Sequence, residues 1–334
     1  MPTIRVLIIA AVQVLIVLAA TVYGTLSYLT EAPGTSYARP LPSATPEETA
    51  IADALRKHVA TLAARPRNLA HYEDLEKAAA YIEATLESQG FVVERQSYDV
   101  GGRPVHNIAV SIEPARPSAN PTAFVIGAHY DSAVESPGAN ANASGTASVL
   151  ELAHRLRDLN SGNRLRLVLF VNGEPPYFQT EQMGSLRYAK ALAARSEPVM
   201  GMFSLDTLGC YTSTPGSQRY PPLASLVLPD RGDFVAFVGG HSARPFMQRS
   251  LHLFRSHTQF PSRGWVGPGF HLGMDTSDNW AFVEQGYPAL LITDTGPYRY
   301  PHYGQPADTP DKIDYEKMAR VVKGIERVVR ELNR

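Results

Sequence analysis

Continuous apolar segments that alternate with helical ones constrain the fold of this chain most. The strand-like segments are FVVERQSYDV, VHNIAVSIE, TAFVIGAHY, RLRLVLFVN, VMGMFSLD, FVAFVGG and YPALLIT. Several are apolar at consecutive positions, as strands buried on both faces are. Because helical segments lie between them, the sequence predicts a single α/β domain. Its central sheet is largely parallel (mixed) and covered by helices on both faces.

Helix signals separate these strands. Thr45, Pro46 and Glu48 form a predicted capping box at the start of one helix, and Gly90 is the expected C-cap of a second. The closing segment carries apolar residues at three- and four-residue spacing, which predicts an amphipathic helix. The other helical segments are GTASVLELAHRLRDL, GSLRYAKALAAR and SARPFMQRSLHLFRSH.

The first 29 residues predict a membrane anchor. Residues 6–22 are apolar except for Gln13 and Thr21, and about 20 apolar residues suffice to cross a bilayer as a helix. Arg5 precedes the run and no basic cluster follows it, which places the N-terminus in the cytoplasm and exports the rest to the periplasm or the cell exterior. A cleaved signal peptide remains the alternative.

Two further divisions follow from composition. Residues 30–45 are rich in Pro, Ser and Thr and predict an extended tether. Residues 46–334 form the expected domain, and the helix at 4–27 is expected to stand apart from it.

The formal net charge of −1 gives no reason to expect nucleic acid as a partner. The single cysteine, Cys210, excludes an intrachain disulfide framework.

Histidine and carboxylates follow four of the predicted buried strands. The segments are GAHYDS, NGEPP, SLDTLG and PHYGQPADT. Because parallel strands end at one edge of a sheet, these side chains are expected to share one rim. A hydrolytic metal site needs such neutral imidazoles and carboxylates, with one coordination position left open for water.

The chain resembles the di-zinc aminopeptidases of the bacterial leucyl aminopeptidase type, a metallopeptidase family that also contains glutaminyl cyclases. The resemblance covers roughly residues 50 to 330. It rests on GAHYDSAVESPGANANASGTA, VNGEPPYFQTEQMGS, SLDTLGCYTSTPGSQRYPP, TSDNWAFVEQGYPALLITDT and PHYGQPADTPDKIDYEKMARVV. It implies two zinc ions bridged by an aspartate. A histidine and an acidic residue also hold one ion, a glutamate and a second histidine hold the other, and a further glutamate is the general base.

The family's site is only partly present in this sequence. The resemblance places His129 and Asp206 on ligands of one ion, and Asp131 on the carboxylate that orients His129. The bridging aspartate falls on Ala141 and the last histidine on Gly304. His302 is a separate feature of related sequences and does not replace that histidine. Asn279 stands where the family has a histidine in its Ser-Asp-His segment.

One of the family's paired glutamates is also lost. Aligned on PPYF, Glu174 takes the ligand position and Gly173 the lost general base. The other register makes Glu174 the base and Pro175 the lost ligand. In both registers the metal positions keep too few ligands, because zinc sites normally hold three or four protein ligands.

These losses predict a peptidase-family protein that is inactive or strongly impaired, with zinc absent or weakly bound. Ala141, Gly173 and Gly304 are small, so they are expected to leave the cleft open and with room for larger side chains. A peptide or amine then has space to bind where the metals were. A zinc-dependent exopeptidase with residual activity and an envelope scaffold are the alternatives.

Overall fold

The computed structural model describes residues 2–114, 118–119, 121–220, 224–267 and 277–333, with side chains from Ile4 onward. In these ranges, eight strands form one sheet in the order β1-β2-β4-β3-β5-β8-β6-β7. The strands are β1 (Glu94–Val100), β2 (Arg103–Ile112), β3 (Ala123–His129), β4 (Arg164–Phe170), β5 (Val199–Leu205), β6 (Val235–Gly240), β7 (Ser262–Gly267) and β8 (Ala289–Thr293).

The centre of the sheet is parallel and its margins are mixed. Strands β4, β3, β5 and β8 pair in parallel, as do β6 and β7, whereas β1–β2, β2–β4 and β6–β8 are antiparallel. This confirms the predicted α/β class with a largely parallel, mixed sheet. The helices are α1 (Pro2–Thr30), α2 (Pro46–Leu62), α3 (Tyr72–Ser88), α4 (Gly145–Leu156), α5 (Gly184–Ala194), α6 (Arg244–His257), α7 (Asn279–Val283), α8 (Gly296–Arg299) and α9 (Tyr315–Leu332).

Helices cover both faces of the sheet. Along β3, Phe124 and Ile126 join one buried cluster with residues of α2, α3, α4, α6 and α9. The intervening residue Val125 joins a second cluster with residues of α5 and α7. Successive strand residues point to opposite faces, so this alternation buries both sides of the strand.

The predicted capping box at α2 is present. Glu48 N donates to Thr45 Oγ1 at 3.2 Å, and Thr45 N donates to Glu48 Oε2 at 2.8 Å. Gly90 lies just beyond α3 with φ of +90°, a conformation that glycine adopts at low cost after a helix. Strand β7 was absent from the sequence prediction, because the short segment SRGWVG lacks the apolar run of the inner strands.

The structure corrects one expectation for the N-terminal region. Helix α1 is long and apolar enough to cross a membrane over Ile4–Thr30, but its last turns contact the domain. Leu26 is buried against the β6–β7 edge of the sheet. Residues of the 30–45 segment also bind the domain, since Ser262 N donates to Ser36 Oγ at 2.9 Å and Arg320 Nη2 to Pro42 O at 2.6 Å. The helix therefore does not stand apart from the domain.

Candidate functional site

Four adjacent strands deliver the candidate residues to one edge of the sheet. His129 is the last residue of β3, and Asp206 follows β5 directly. Gly173 and Glu174 follow β4, whose Phe170 pairs with His129. Because β4, β3, β5 and β8 are neighbouring parallel strands, their carboxyl ends form one rim, as is usual for sites in open α/β sheets.

His129 lies between two carboxylates. Its Nδ1 is 3.4 Å from Asp131 Oδ1, and its Nε2 is 3.6 Å from Asp206 Oδ2. All three side chains are buried. Burial opposes protonation of the imidazole, but the hydrogen bonds and charges of Asp131 and Asp206 outweigh it and raise the pKa of His129 well above its ordinary value. The pair of contacts favours a positive imidazolium at this point of the cleft.

Asp131 contacts His129 and also holds the loop after β4 in place. Its two carboxylate oxygens accept from Gly173 N at 2.8 Å and from Glu174 N at 3.1 Å. A carboxylate that accepts backbone N–H bonds is held in one orientation. Asp131 therefore joins the ends of β3 and β4, which brings Glu174 to the cleft.

Glu174 lies beside a cavity of about 590 Å³ that Asp131 also lines. Burial raises the pKa of Glu174 to about 7, and the negative charges of Asp131 and Asp206 add to the increase while His129 and Arg67 oppose it. Pro175 is exposed, so the residue in contact with the site's charges is Glu174. Both registers of the resemblance keep Glu174 at the site, as a metal ligand or as the general base.

The loop that would carry the bridging aspartate is held in place by its neighbours. Asn140 Nδ2 donates to Asp294 Oδ2 at 3.0 Å, and Asn142 Nδ2 donates to the Leu205 carbonyl at 2.9 Å. Asp308 accepts from Asn140 N at 2.8 Å and from Ala141 N at 3.0 Å. The scaffold of this loop is thus intact around Ala141, although residue 141 offers no ligand atom.

Arg67 is a site residue that the sequence analysis did not identify. Its side chain is 1% exposed and donates to the carbonyls of Tyr130 at 2.7 Å, Leu62 at 3.1 Å, Gly138 at 3.1 Å and Pro137. Burial lowers its pKa to about 10, while Asp131, Asp308 and Glu174 oppose that effect. The charged guanidinium therefore links the end of α2 to two points of the loop after β3, a role that no local sequence signal could have shown.

Asp278, from the Ser-Asp-Asn segment, is a second residue whose role the sequence left open. Burial raises its pKa to about 7, and Asp206 and Asp131 add to the increase while His129 opposes it. It lies beside Ser185, but neither carboxylate oxygen makes a hydrogen bond of ordinary geometry within the described chain. Such a buried carboxylate without a full set of partners adds to the negative charge around His129.

The residues present do not fit a pair of zinc ions. Within the ranges that the structure describes, no three His, Cys, Asp or Glu side chains are placed to hold one metal ion. Ala141 is buried at 2% exposure, and Gly304 has no side chain. By the sequence resemblance, His129 and Asp206 would be the remaining protein ligands of one position, and Glu174 that of the other in the register that takes it as a ligand.

The expectation of free space holds at Gly304 but is wrong at Gly173. A Cβ atom at Gly304 would meet no atom within 4 Å, although its φ of +65° strains any other residue. A Cβ atom at Gly173 would lie 2.4 Å from both Cβ and Cγ of His129. The loop after β4 packs so closely on His129 that residue 173 has no room for a side chain.

We expect Gly173→Ala to destabilise the protein by about 2–3 kcal/mol, because the added methyl group must displace His129 from a packed position. Gly240→Ala is the matched control, since a Cβ at Gly240 meets nothing within 4 Å, and its effect should stay within about 0.5 kcal/mol. Urea unfolding of the two variants measures the difference. Equal stability would show that the loop can move away from His129.

Comparison with known proteins agrees with this geometry. The model of peptidase family M28 matches residues 107–329. The chain belongs to peptidase family M28. Over 274 residues it is 37% identical to the uncharacterized protein YfbL of Escherichia coli, with 79% of this chain and 83% of that protein covered. This match and the family model confirm the resemblance seen in the sequence.

Solved structures show the same fold. An aminopeptidase from Aneurinibacillus sp. strain AM-1 superposes with a TM-score of 0.62 at 18% identity, covering 85% of this chain and 94% of that one. A glutaminyl cyclase from Fimbriiglobus ruber gives a TM-score of 0.61 at 20% identity, covering 88% and 99%. Other matched proteins are described as zinc metalloproteases or zinc aminopeptidases, so the family is zinc-dependent.

Proposed function

We propose that this member of family M28 is a membrane-anchored, exported protein that binds a peptide or amine in its cleft without cleaving it. The observation that carries the proposal is the intact cleft around an incomplete metal site. Asn140, Asn142 and Asp308 still hold the loop at position 141, where the family's bridging carboxylate is replaced by Ala141.

Without the bridging aspartate and the general-base glutamate of the family, the site lacks two sources of catalysis. A zinc-bound water has a pKa near 7, against about 15.7 for free water. A positioned general base contributes a further ~10²–10⁴-fold. Gly173 offers no carboxylate, and its contact with His129 leaves no space for one. Hydrolysis by the family's route therefore has neither an activated water nor a base.

The charges that remain suit a cation. Asp131, Asp206, Glu174 and Asp278 surround a single imidazole, and the buried Arg67 is committed to backbone carbonyls. The raised pKa values of Glu174 and Asp278, to about 7, reflect burial and this surplus of negative charge. An ammonium group beside Glu174 would offset the surplus, as charge pairing does in buried sites.

The adjoining cavity has the size and lining of a ligand pocket. Its volume of about 590 Å³ lies within the range of small-molecule sites. Amide side chains and apolar side chains both line it, together with Glu174 at the site end; these are Asn68, Asn172, Gln182, Leu69, Val100, Val134 and Tyr177. This mixture fits a short peptide whose amino end lies at Glu174.

The test uses the full chain in lipid nanodiscs, supplied with zinc. We expect no measurable turnover of aminoacyl anilides, and binding of a free-amino dipeptide that is about 10-fold or more tighter than binding of its N-acetylated form. Glu174→Gln should weaken dipeptide binding by about 10- to 100-fold, since one side of a buried charge pair is lost. Glu181→Gln, an exposed glutamate of the same loop, should leave it unchanged.

Each alternative has its own result. Turnover that His129→Ala abolishes would identify a residual exopeptidase. No binding of either dipeptide would favour a scaffold role. Equal effects of Glu174→Gln and Glu181→Gln would remove Glu174 from the binding site.

A further inference from the structure

The last turns of α1 form part of an apolar cluster of the domain. Val22, Leu26 and Leu29 lie on one helical face at four- and three-residue spacing. They pack with Phe234 of the segment before β6 and Trp265 of β7. Leu26 is 8% exposed, whereas Leu18, two turns earlier, is 55% exposed. The helix therefore leaves the domain between these two residues.

Polar contacts hold this junction in one arrangement. The Arg244 guanidinium lies 4.1 Å from the Tyr28 ring centroid, and its Nη2 pairs with Glu31 Oε2 at 2.7 Å. Arg255 Nη1 donates to the carbonyls of residues 32–34 at 2.9–3.0 Å. A helix held by both apolar and polar contacts keeps a fixed orientation relative to α6 and β7.

The length of the apolar run sets the level of the membrane surface. Residues 4–23 of α1 span about 30 Å at a rise of about 1.5 Å per residue, which equals the hydrocarbon thickness of a bilayer. Val22 then lies at the outer boundary of the hydrocarbon. Because Val22 also packs on the domain, the domain surface beside it lies at the level of the lipid headgroups.

Residues 224–228, the Leu226 turn, pack into the apolar cluster at the end of α1. Ala224, Val227 and Leu228 belong to the same cluster as Val22 and Leu26. Leu226 itself is 63% exposed. An exposed leucine next to the exit of an apolar helix has a favourable environment in the interfacial layer of a bilayer, where apolar side chains bury some 5–10 Å deep.

We propose that the Leu226 turn is a second membrane contact of this protein and inserts Leu226 into the interface beside α1. The inference rests on the proposed membrane anchoring by α1. The continuity of the turn with α1 through one apolar cluster identifies a lipid surface as the occupant. Two contacts fix the orientation of the domain on the bilayer, so that the β7 edge faces the lipid.

The experiment attaches an environment-sensitive fluorophore to single cysteines in the full chain, in nanodiscs with nitroxide-labelled lipids. Cys210→Ser provides the background, and the labelled positions come from Leu226→Cys, Val12→Cys and Val92→Cys. Val92 is 85% exposed and lies two residues before β1. Strand β1 is seven strand spacings from β7, or about 34 Å. It is the matched exposed apolar control.

We expect lipid nitroxides to quench the label at position 226 at least about twofold, and to leave that at position 92 unchanged. Quenching at position 12 without quenching at position 226 would overturn the second contact while the anchor stands. No quenching at position 12 would overturn the anchor itself. If the emission of the label at position 226 shows that it is shielded from water but lipid nitroxides do not quench it, the turn contacts protein rather than lipid. That result would overturn the proposal.

Discussion

Ala141→Asp combined with Gly304→His is expected to raise zinc affinity by about 100-fold or more over the native protein. By the family resemblance, the carboxylate at position 141 would supply a ligand to both ions, which His129 and Asp206 on one side and Glu174 on the other would also hold. The histidine would give the second ion another ligand, so that both ions reach the three protein ligands of a catalytic zinc site. Isothermal titration of zinc into the full chain measures the gain.

The space around residues 304 and 173 determines which of the lost side chains can be restored. Gly304 offers open space, although its φ of +65° costs about 1–2 kcal/mol for histidine. Gly173→Glu is left out, because residue 173 has no room beside His129. Turnover of the double variant is therefore expected to stay low, since the general base is still missing.

Ala141→Asn with Gly304→His is the matched control. Asparagine has nearly the shape of aspartate but presents a neutral amide, which is a poor zinc ligand. The two single variants should each gain little, because metal and ligands act as a unit. If the Asp and Asn forms of the double variant bind zinc equally, position 141 is not the bridging position.

Arg67→Met is expected to lower the free energy of unfolding by about 3–5 kcal/mol. The change removes the donors to the carbonyls of Leu62, Tyr130, Pro137 and Gly138. Each buried carbonyl left without a partner costs about 1–3 kcal/mol. The neighbouring carboxylates, Asp131 among them, also lose a compensating charge, which adds to the cost.

Arg65→Met is the matched control for this variant. Arg65 precedes Arg67 by two residues and is exposed, so the same substitution there should change stability by no more than about 0.5 kcal/mol. Urea unfolding of both variants gives the comparison. A loss below about 1 kcal/mol for Arg67→Met would mean that the loop after β3 holds its arrangement without the guanidinium.

The inner strands of the sheet were predictable because burial on both faces leaves a continuous apolar segment, as in TAFVIGAHY. Strand β7 was not, since an edge strand needs fewer apolar residues and SRGWVG carries Ser262 and Arg263. The start of α2 was predictable because a capping box is a local pattern within four residues. Local signals thus accounted for most of the elements.

The sequence by itself determined which ligand types are missing, because a residue such as Ala141 has no donor atom in any fold. Only the tertiary structure decided what those losses leave behind. It placed Gly173 against His129, held the loop after β3 through Arg67, and packed the end of α1 on the β6–β7 edge. Each of these depends on contacts between residues more than 40 positions apart, and the packing that brings such residues together has no signature in a local stretch of sequence.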